Sequence, residues 1–468
     1  MHRRLACLSL IPFLLSSAFA APPSLGGCQV LPADHIFNTR IDSLPVHPQS
    51  AAYLATISSS ARKLHLDLGV SEDMRSSEYY GIPYNLMAGK SASWQPVYYK
   101  DGYPDESDCA KQDHSVAQPC VNTASQPLLP IPAAPLVEGG IETNQANYGD
   151  HHILTIDTDS CMLWESYHSY PHAGGGWDIW SSAAFDLRSN TLRPAGWTSA
   201  DAAGFPILPL LLRADEANSG EINHALRFTI QSSKIRAAYV WPARHLTSNG
   251  GSSASKPAMG QLFRLKADYP VPDSTPTQAK AILTALKRYG MYIADGGSDM
   301  YIQGEPSAKW ADATFSVVQA VPHTAFEAVD LAPIMARSGF NADSAAVPAA
   351  AGAFSITPQQ AGSASSLSLG VDVTVASGDA GKAGAIYIAA LLPTGAVYSL
   401  TSAGWQPVQN LALLPFANVS LGKHSVPITS QLNVSAYKGL QIYAGYGQSL
   451  GDLIQGSKYA LLYSVPSN

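Results

Sequence analysis

Four cysteines, Cys28, Cys109, Cys120 and Cys161, lie beyond the first twenty residues, and none follows Cys161. An even set of thiols can close completely, and four allow three pairings. Their spacing fits no zinc site, because the chain has neither CxxC nor HExxH. We expect Cys109–Cys120, which closes a short polar loop, and Cys28–Cys161, which ties the start of the chain to a later strand. Disulfides require an oxidising compartment. The first residues supply the route: His2, Arg3 and Arg4 form a charged start, residues 5–15 are apolar, and Ala18-Phe19-Ala20 precedes an expected cleavage at Ala20–Ala21. Residues 1–20 therefore read as a signal peptide that carries Cys7 away with it, and the product as secreted or periplasmic. The apolar run is too short to span a bilayer comfortably, and no second run reaches that length.

The rest of the chain divides at residues 341–354, a small, Pro-punctuated stretch that reads as a linker. Residues 21–340 are expected to form an α+β, β-rich domain of catalytic size. Residues 355–468 carry few charges and no cysteine. Seven apolar or alternating runs, at 366–375, 385–392, 396–402, 411–419, 424–428, 439–446 and 459–465, are separated by Gly, Pro, Asn and Ser. That spacing predicts an all-β sandwich.

Within the first domain, residues 152–156 and 162–164 read as strands around the turn Asp157-Thr-Asp-Ser, and 177–187 as a loosely alternating strand. Residues 199–204 and 207–216 look helical, although Pro206 and Pro209 interrupt them. Residues 225–230, 237–241 and 262–267 read as strands. The strongest helix is 277–289, with Pro276 near its start and Gly290 at its end. Residues 291–294 and 300–303 read as a hairpin around Asp295-Gly-Gly-Ser-Asp.

Charged residues make up only 13% of the chain and acids outnumber bases, 35 to 28, which argues against nucleic acid, whose recognition needs a basic stripe. There is no GxSxG elbow, Walker A loop, GxGxxG after a strand or CxxCH. Candidate chemistry must come from constellations. Asp150-His151-His152, Glu165, His168 and His172 flank a hairpin and could transfer protons or bind a metal near His152, His168 and His172. The alternative is that these histidines cap strands, and adjacent residues of a strand face opposite ways.

A second constellation holds Asp186, Arg188, Asn190, Arg193, Trp197 and Asp201. Cleaving a glycosidic bond needs two carboxyl groups across it and an aromatic platform for a sugar face. Glu165, Asp186, Asp201 and Glu216 are the available acids; Trp177, Trp180 and Trp197 are the platforms. Asp186 and Asp201 also suit turns. His224 could act as a base and Arg227 bind substrate, or Arg227 could form a buried pair with an Asp. Tyr79, Tyr80 and Tyr84 could wall a groove, and the acidic loop 105–108 could take Ca²⁺ or be a solvated turn.

The stretches Tyr80-Gly-Ile-Pro-Tyr-Asn, Gly196-Trp-Thr-Ser-Ala-Asp-Ala-Ala-Gly and Ile222-Asn-His-Ala-Leu-Arg-Phe-Thr resemble those of secreted microbial proteins with no named activity. The resemblance covers roughly residues 28–330 and transfers no catalytic residue.

Export, size, a Tyr- and Trp-bearing domain and clustered acids together predict an enzyme that cleaves an extracellular polysaccharide, as a glycoside hydrolase or lyase. Glu165 and Asp201 are the expected carboxyl pair, with Asp186 and His224 as further catalytic candidates and Arg227, Trp177, Trp197 and Tyr84 on substrate. No cofactor is expected, nor nucleic acid, nor membrane attachment after cleavage. Two other classes fit the same features: an extracellular binding or adhesion protein without catalysis, and a His-rich metal-dependent enzyme.

Overall fold

The computed structural model describes residues 22–58, 62–121, 125–140, 149–247, 249–348, 354–376, 378–409, 412–455 and 458–465. The segment expected as a signal peptide lies outside them. The chain separates into two compact units, one of them Pro22–Pro348 and the other containing everything from Ala349 onward. The architecture is mainly β-sheet with short helices.

The first unit is organised by two sheets that share one core. A four-stranded sheet runs Ser181–Asp186, Met162–Tyr167, Ile153–Asp157, Tyr84–Met87. Its first three strands are antiparallel neighbours, and the last joins in parallel. A six-stranded mixed sheet runs Phe326–Ala328, Leu262–Leu265, Met291–Gly296, Leu226–Ile230, Tyr301–Gln303, His65–Asp67. Ile153–Asp157 and Leu226–Ile230 are buried along their whole length, as strands covered on both faces should be.

Several expectations for this unit change. Met291–Gly296 and Tyr301–Gln303 do not pair as a hairpin. Leu226–Ile230 lies between them, parallel to the first and antiparallel to the second. Every residue of this strand is buried, so it takes neighbours on both edges; the Asp295–Asp299 turn passes around its end, where Asp299 accepts the Gln231 N–H at 3.1 Å. The helical reading of 199–216 also gives way to loop, a 3-10 turn Leu208–Leu210 and a short helix Ala214–Ser219. Pro206 and Pro209 break the i→i−4 ladder.

Other elements follow their local signals. The helix Thr277–Arg288 buries Ala281, Ile282, Ala285 and Leu286 on one face and places Lys287 and Arg288 in its last turn, where they complement the carbonyl end. Gly290, at φ +73°, stops it. The run 177–187 splits at Trp180 into Trp177–Ile179 and Ser181–Asp186, which belong to different sheets. Both expected disulfides are present, Cys28–Cys161 and Cys109–Cys120.

The stretch expected as a linker also divides. Residues 341–348 are built into the first unit: Trp241 Nε1 donates to the Ser344 carbonyl at 2.9 Å, Ile36 N–H to Ala345 at 2.9 Å, and Arg244 pairs with Asp343 at 2.7 Å. The backbone carbonyls and N–H groups of this small-residue stretch find partners that its composition does not announce.

In the second unit a three-stranded sheet, Ser355–Ala361, Leu367–Thr374 and Lys423–Leu432, and a six-stranded sheet centred on Ala383–Leu391 and Gln441–Gly447 share one apolar core. Leu367–Thr374 alternates strictly between buried and half-buried residues, the pattern of a strand with one face on a core. Ser355–Ala361, Gly404–Pro407 and the helix Leu450–Gln455 are additions to the sequence reading. Tyr446 is fully buried and donates its hydroxyl to Asp379 at 3.1 Å. No described helix is long and apolar enough to cross a membrane.

Candidate functional site

Charged side chains are scarce in this chain, so their convergence at one place in the first unit is informative. The site starts from the six-stranded sheet. Arg227 sits on the central strand opposite Tyr292, and its guanidinium donates to Gln303 on the next strand. Gln303 is in register with Asp67 on the edge strand. Arg227, Gln303 and Asp67 therefore form one row across three strands. The Asp295 carboxylate, near the end of Met291–Gly296, is among the groups that hold the Arg227 guanidinium charged.

The four-stranded sheet supplies the other side. His151 adopts φ +46° just before Ile153–Asp157. This breaks the extended alternation, and His151 and His152 are both buried instead of facing opposite ways. The His152 Nε2–H donates to the Ala200 carbonyl at 2.9 Å, while Nδ1 meets Glu138 Oε2 at 2.5 Å. Glu138 is held from a second direction, since its backbone N–H donates to the His152 carbonyl at 3.1 Å. One ligand-type atom each from Glu138, Asp150 and His152 falls within 4.8 Å of the other two.

The loop following Trp197 joins the two sheets. Asp201 pairs with Arg227 at 3.0 Å, Ala202 N–H donates to Asp295 at 3.3 Å, and Ala203 N–H donates to the Ala294 carbonyl at 2.9 Å. Ala200 holds His152 from the same loop. Glu165, 0% exposed, accepts the N–H groups of Ile207 and Leu208 at 2.9 Å.

The electrostatics follow from this crowding. Burial pushes Asp67 up to about 6, helped by the Glu138 and Asp150 charges and opposed by Arg227. Burial acts to raise Glu138 as well, but His152 outweighs it and holds that carboxyl below its ordinary range. Burial acts to lower His152, and the Glu138 and Asp150 carboxylates overcome it, leaving the imidazole at about 9. Burial raises Glu165 and Asp201 to about 7, against the N–H donors of the first and the guanidinium beside the second. Asp150 is exposed and Asp67, Glu138 and Asp295 are half-buried, so the cluster opens to solvent on that side.

Of the expected site residues, Glu165, Asp201 and Arg227 come together, but all are at most 1% exposed, with Glu165 bonded to the Ile207 and Leu208 N–H groups and Asp201 paired with Arg227. They form the floor of the cluster rather than its accessible surface. The remaining candidates are elsewhere. His224 is fully buried between Glu216 at 3.1 Å and Arg213 at 2.9 Å. Asp186 pairs with Arg188 at 2.9 Å and lines a different cleft, of about 270 Å³, with His35 and Phe185. Trp177 is half-buried in a strand paired on both edges within another six-stranded sheet, Trp197 lies 5.7 Å from the Arg193 guanidinium, and Tyr84 faces the Arg213–Glu305 region.

The imidazoles expected to share a metal separate: His168 meets the Gly149 carbonyl at 3.1 Å, and His172 pairs with Asp178 at 2.8 Å while stacking on Tyr98. The acidic loop 105–108 is not an ion loop. Asp108 is fully buried against Arg193, and Glu106 accepts the Thr198 N–H at 2.9 Å.

Sequence reading missed Asp67, Glu138 and Asp295. Each is an acid at the end of an apolar run, in Leu64-His-Leu-Asp67, Leu136-Val-Glu138 and Met291-Tyr-Ile-Ala-Asp295. A carboxylate closing a short apolar run was the available signal. The chain matches no family model, no curated protein and no solved structure.

Proposed function

We propose that the first unit is a hydrolase of glycosidic bonds that works by carboxyl acid–base chemistry at the mouth formed by Asp67, Asp150 and Asp295. The observation that carries this reading is the gathering of these acids beside Arg227 and His152 in a chain otherwise poor in charge. Glycoside cleavage needs one carboxyl group that gives a proton to the leaving oxygen and another that acts ionised. Asp67, held near 6, suits the first role, and Asp295, whose carboxylate accepts the Ala202 N–H at 3.3 Å in the same cluster, is assigned the second. Tyr80 is 40% exposed and close enough to sense the Asp67 charge, and its ring is the aromatic face we assign to sugar stacking. Glu165 and Asp201 act here as supports that fix the connecting loop.

The test is a polysaccharide panel with product analysis, run on wild type and on Asp67→Asn, Asp295→Asn and Asp186→Asn. Wild type should cleave at least one member. Asp67→Asn should lose roughly a hundredfold or more in rate, Asp295→Asn should be comparably impaired, and Asp186→Asn should match wild type. A wild type inert on the whole panel, or an Asp67→Asn protein of full activity, would overturn the reading.

A further inference from the structure

The geometry points to a divalent first-row transition ion, of the Zn²⁺ or Mn²⁺ kind, bound by Glu138, Asp150 and His152. Among the described residues this is where a carboxylate oxygen, a second carboxylate oxygen and an imidazole nitrogen come within 4.8 Å of one another.

The imidazole is oriented as a ligand would be. Its Nε2–H is tied to the Ala200 carbonyl at 2.9 Å, and Nδ1 faces Glu138 Oε2 at 2.5 Å. A ligating histidine characteristically donates its remote N–H to a backbone carbonyl or carboxylate, which fixes the ring and its tautomer. An ion on Nδ1 would take the place of the proton now shared with Glu138.

A second observation is independent of these three groups. The Tyr79 hydroxyl is buried, its residue 4% exposed, it has no hydrogen-bond partner, and it lies where the Glu138 charge reaches it. A buried hydroxyl without a partner is costly, and an ion with its bound water beside Glu138 would give it one. The charge balance agrees, because Asp67 adds a further carboxyl group that senses both Glu138 and Asp150. Mixed imidazole and carboxylate donors, with no thiolate, favour Zn²⁺ or Mn²⁺ over Ca²⁺ and Mg²⁺, which take oxygen. Asp150 is exposed, so the ion would keep an open side towards solvent. This site shares its mouth with the proposed hydrolase, but the inference does not depend on that activity.

The experiment uses the full chain, stripped with EDTA, exchanged into buffer and titrated with ZnCl₂, MnCl₂ or CaCl₂ by calorimetry, with thermal shift in parallel. One Zn²⁺ or Mn²⁺ per chain should bind and raise the melting temperature. Asp150→Asn, at an exposed position, should fold as wild type does and bind roughly tenfold or more weakly. Glu138→Gln should do the same, with circular dichroism confirming its fold. His172→Gln, away from the site, should bind normally. With Mn²⁺, electron spin echo should show imidazole nitrogen coupling that is lost in a folded His152→Gln protein. No binding by wild type, equal binding by folded Asp150→Asn, or binding of Ca²⁺ alone would overturn the assignment. Because the readout is binding, inactivity towards polysaccharide leaves this test intact.

Discussion

Arg227 and Asp201 form an ion pair at 3.0 Å in which neither residue is more than 1% exposed. The pair fastens the loop after Trp197 to the central strand of the six-stranded sheet, and that loop in turn holds His152 through Ala200 and Asp295 through Ala202. Removing one partner leaves the other charge buried and uncompensated. Asp201→Ala should therefore cost about 3–5 kcal/mol, measured by urea unfolding of the first unit. A loss below about 1 kcal/mol would show that the pair is not what holds the loop.

Glu165 separates support from catalysis in the same way. Its carboxylate caps Ile207 and Leu208 from inside the protein. Glu165→Gln replaces one acceptor oxygen with a donor facing those N–H groups, and should destabilise by about 1–3 kcal/mol. Activity per folded molecule, assayed well below the melting temperature, should change little. A folded Glu165→Gln protein without activity would return this residue to the chemistry.

Acid stability should depend on Glu216. Burial acts to raise its carboxyl, but Arg213 and His224 outweigh burial and bring it down to about 2, from an ordinary 4.5. A carboxyl depressed in the folded state contributes stability that is fully present above the unfolded value and is lost as pH falls through the folded one. The window is thus pH 4.5 down to 2, and the loss there about 3 kcal/mol. Glu216→Gln should be less stable at neutral pH and show a flatter decline across that window. Equal slopes for the two proteins in pH-dependent denaturation would contradict the assignment.

The two disulfides should differ in worth. Cys28–Cys161 spans 133 residues of sequence and Cys109–Cys120 only 11. Closing the longer loop restricts the unfolded chain more, by about 5 against about 3 kcal/mol in the chain-entropy treatment. Replacing Cys28 and Cys161 together by Ala should lower the melting temperature more than replacing Cys109 and Cys120. The reverse order would mean that native-state contacts, not loop entropy, dominate.

Truncation should be sensitive to a few residues. Residues 341–348 contribute hydrogen bonds to Trp241, Ile36 and Arg244. A chain ending at Pro348 should fold with the stability of the first unit, whereas one ending just before Asn341 should be weaker by several kcal/mol and more readily proteolysed. The second unit has its own core of Leu369, Val371, Ile388 and Ile442, so residues 349–468 expressed alone should unfold cooperatively. A non-cooperative melt would show that its core is insufficient by itself.

The sequence alone determined the features whose causes are local. Thr277–Arg288 carries its own amphipathic period and its Gly290 stop. The alternation of Leu367–Thr374 marks a one-sided strand, and the paired disulfides match the expectation from cysteine number and spacing. Only the tertiary structure decided the rest. Leu226–Ile230 is buried along its whole length inside a sheet, but nothing in its neighbourhood specified that it would separate Met291–Gly296 from Tyr301–Gln303. That insertion sets Arg227 beside Gln303 and within reach of Asp67 and Asp201. Asp67, Asp295 and the neighbouring pair Glu138 and Asp150 come from three distant stretches, and hydrophobic periodicity, which reports the environment of one segment at a time, carries no record of which segments meet. Glu165 and Asp201 were visible as acids near turns. Their burial follows from the loop that closes over them, a contact made by backbone N–H groups that every sequence possesses.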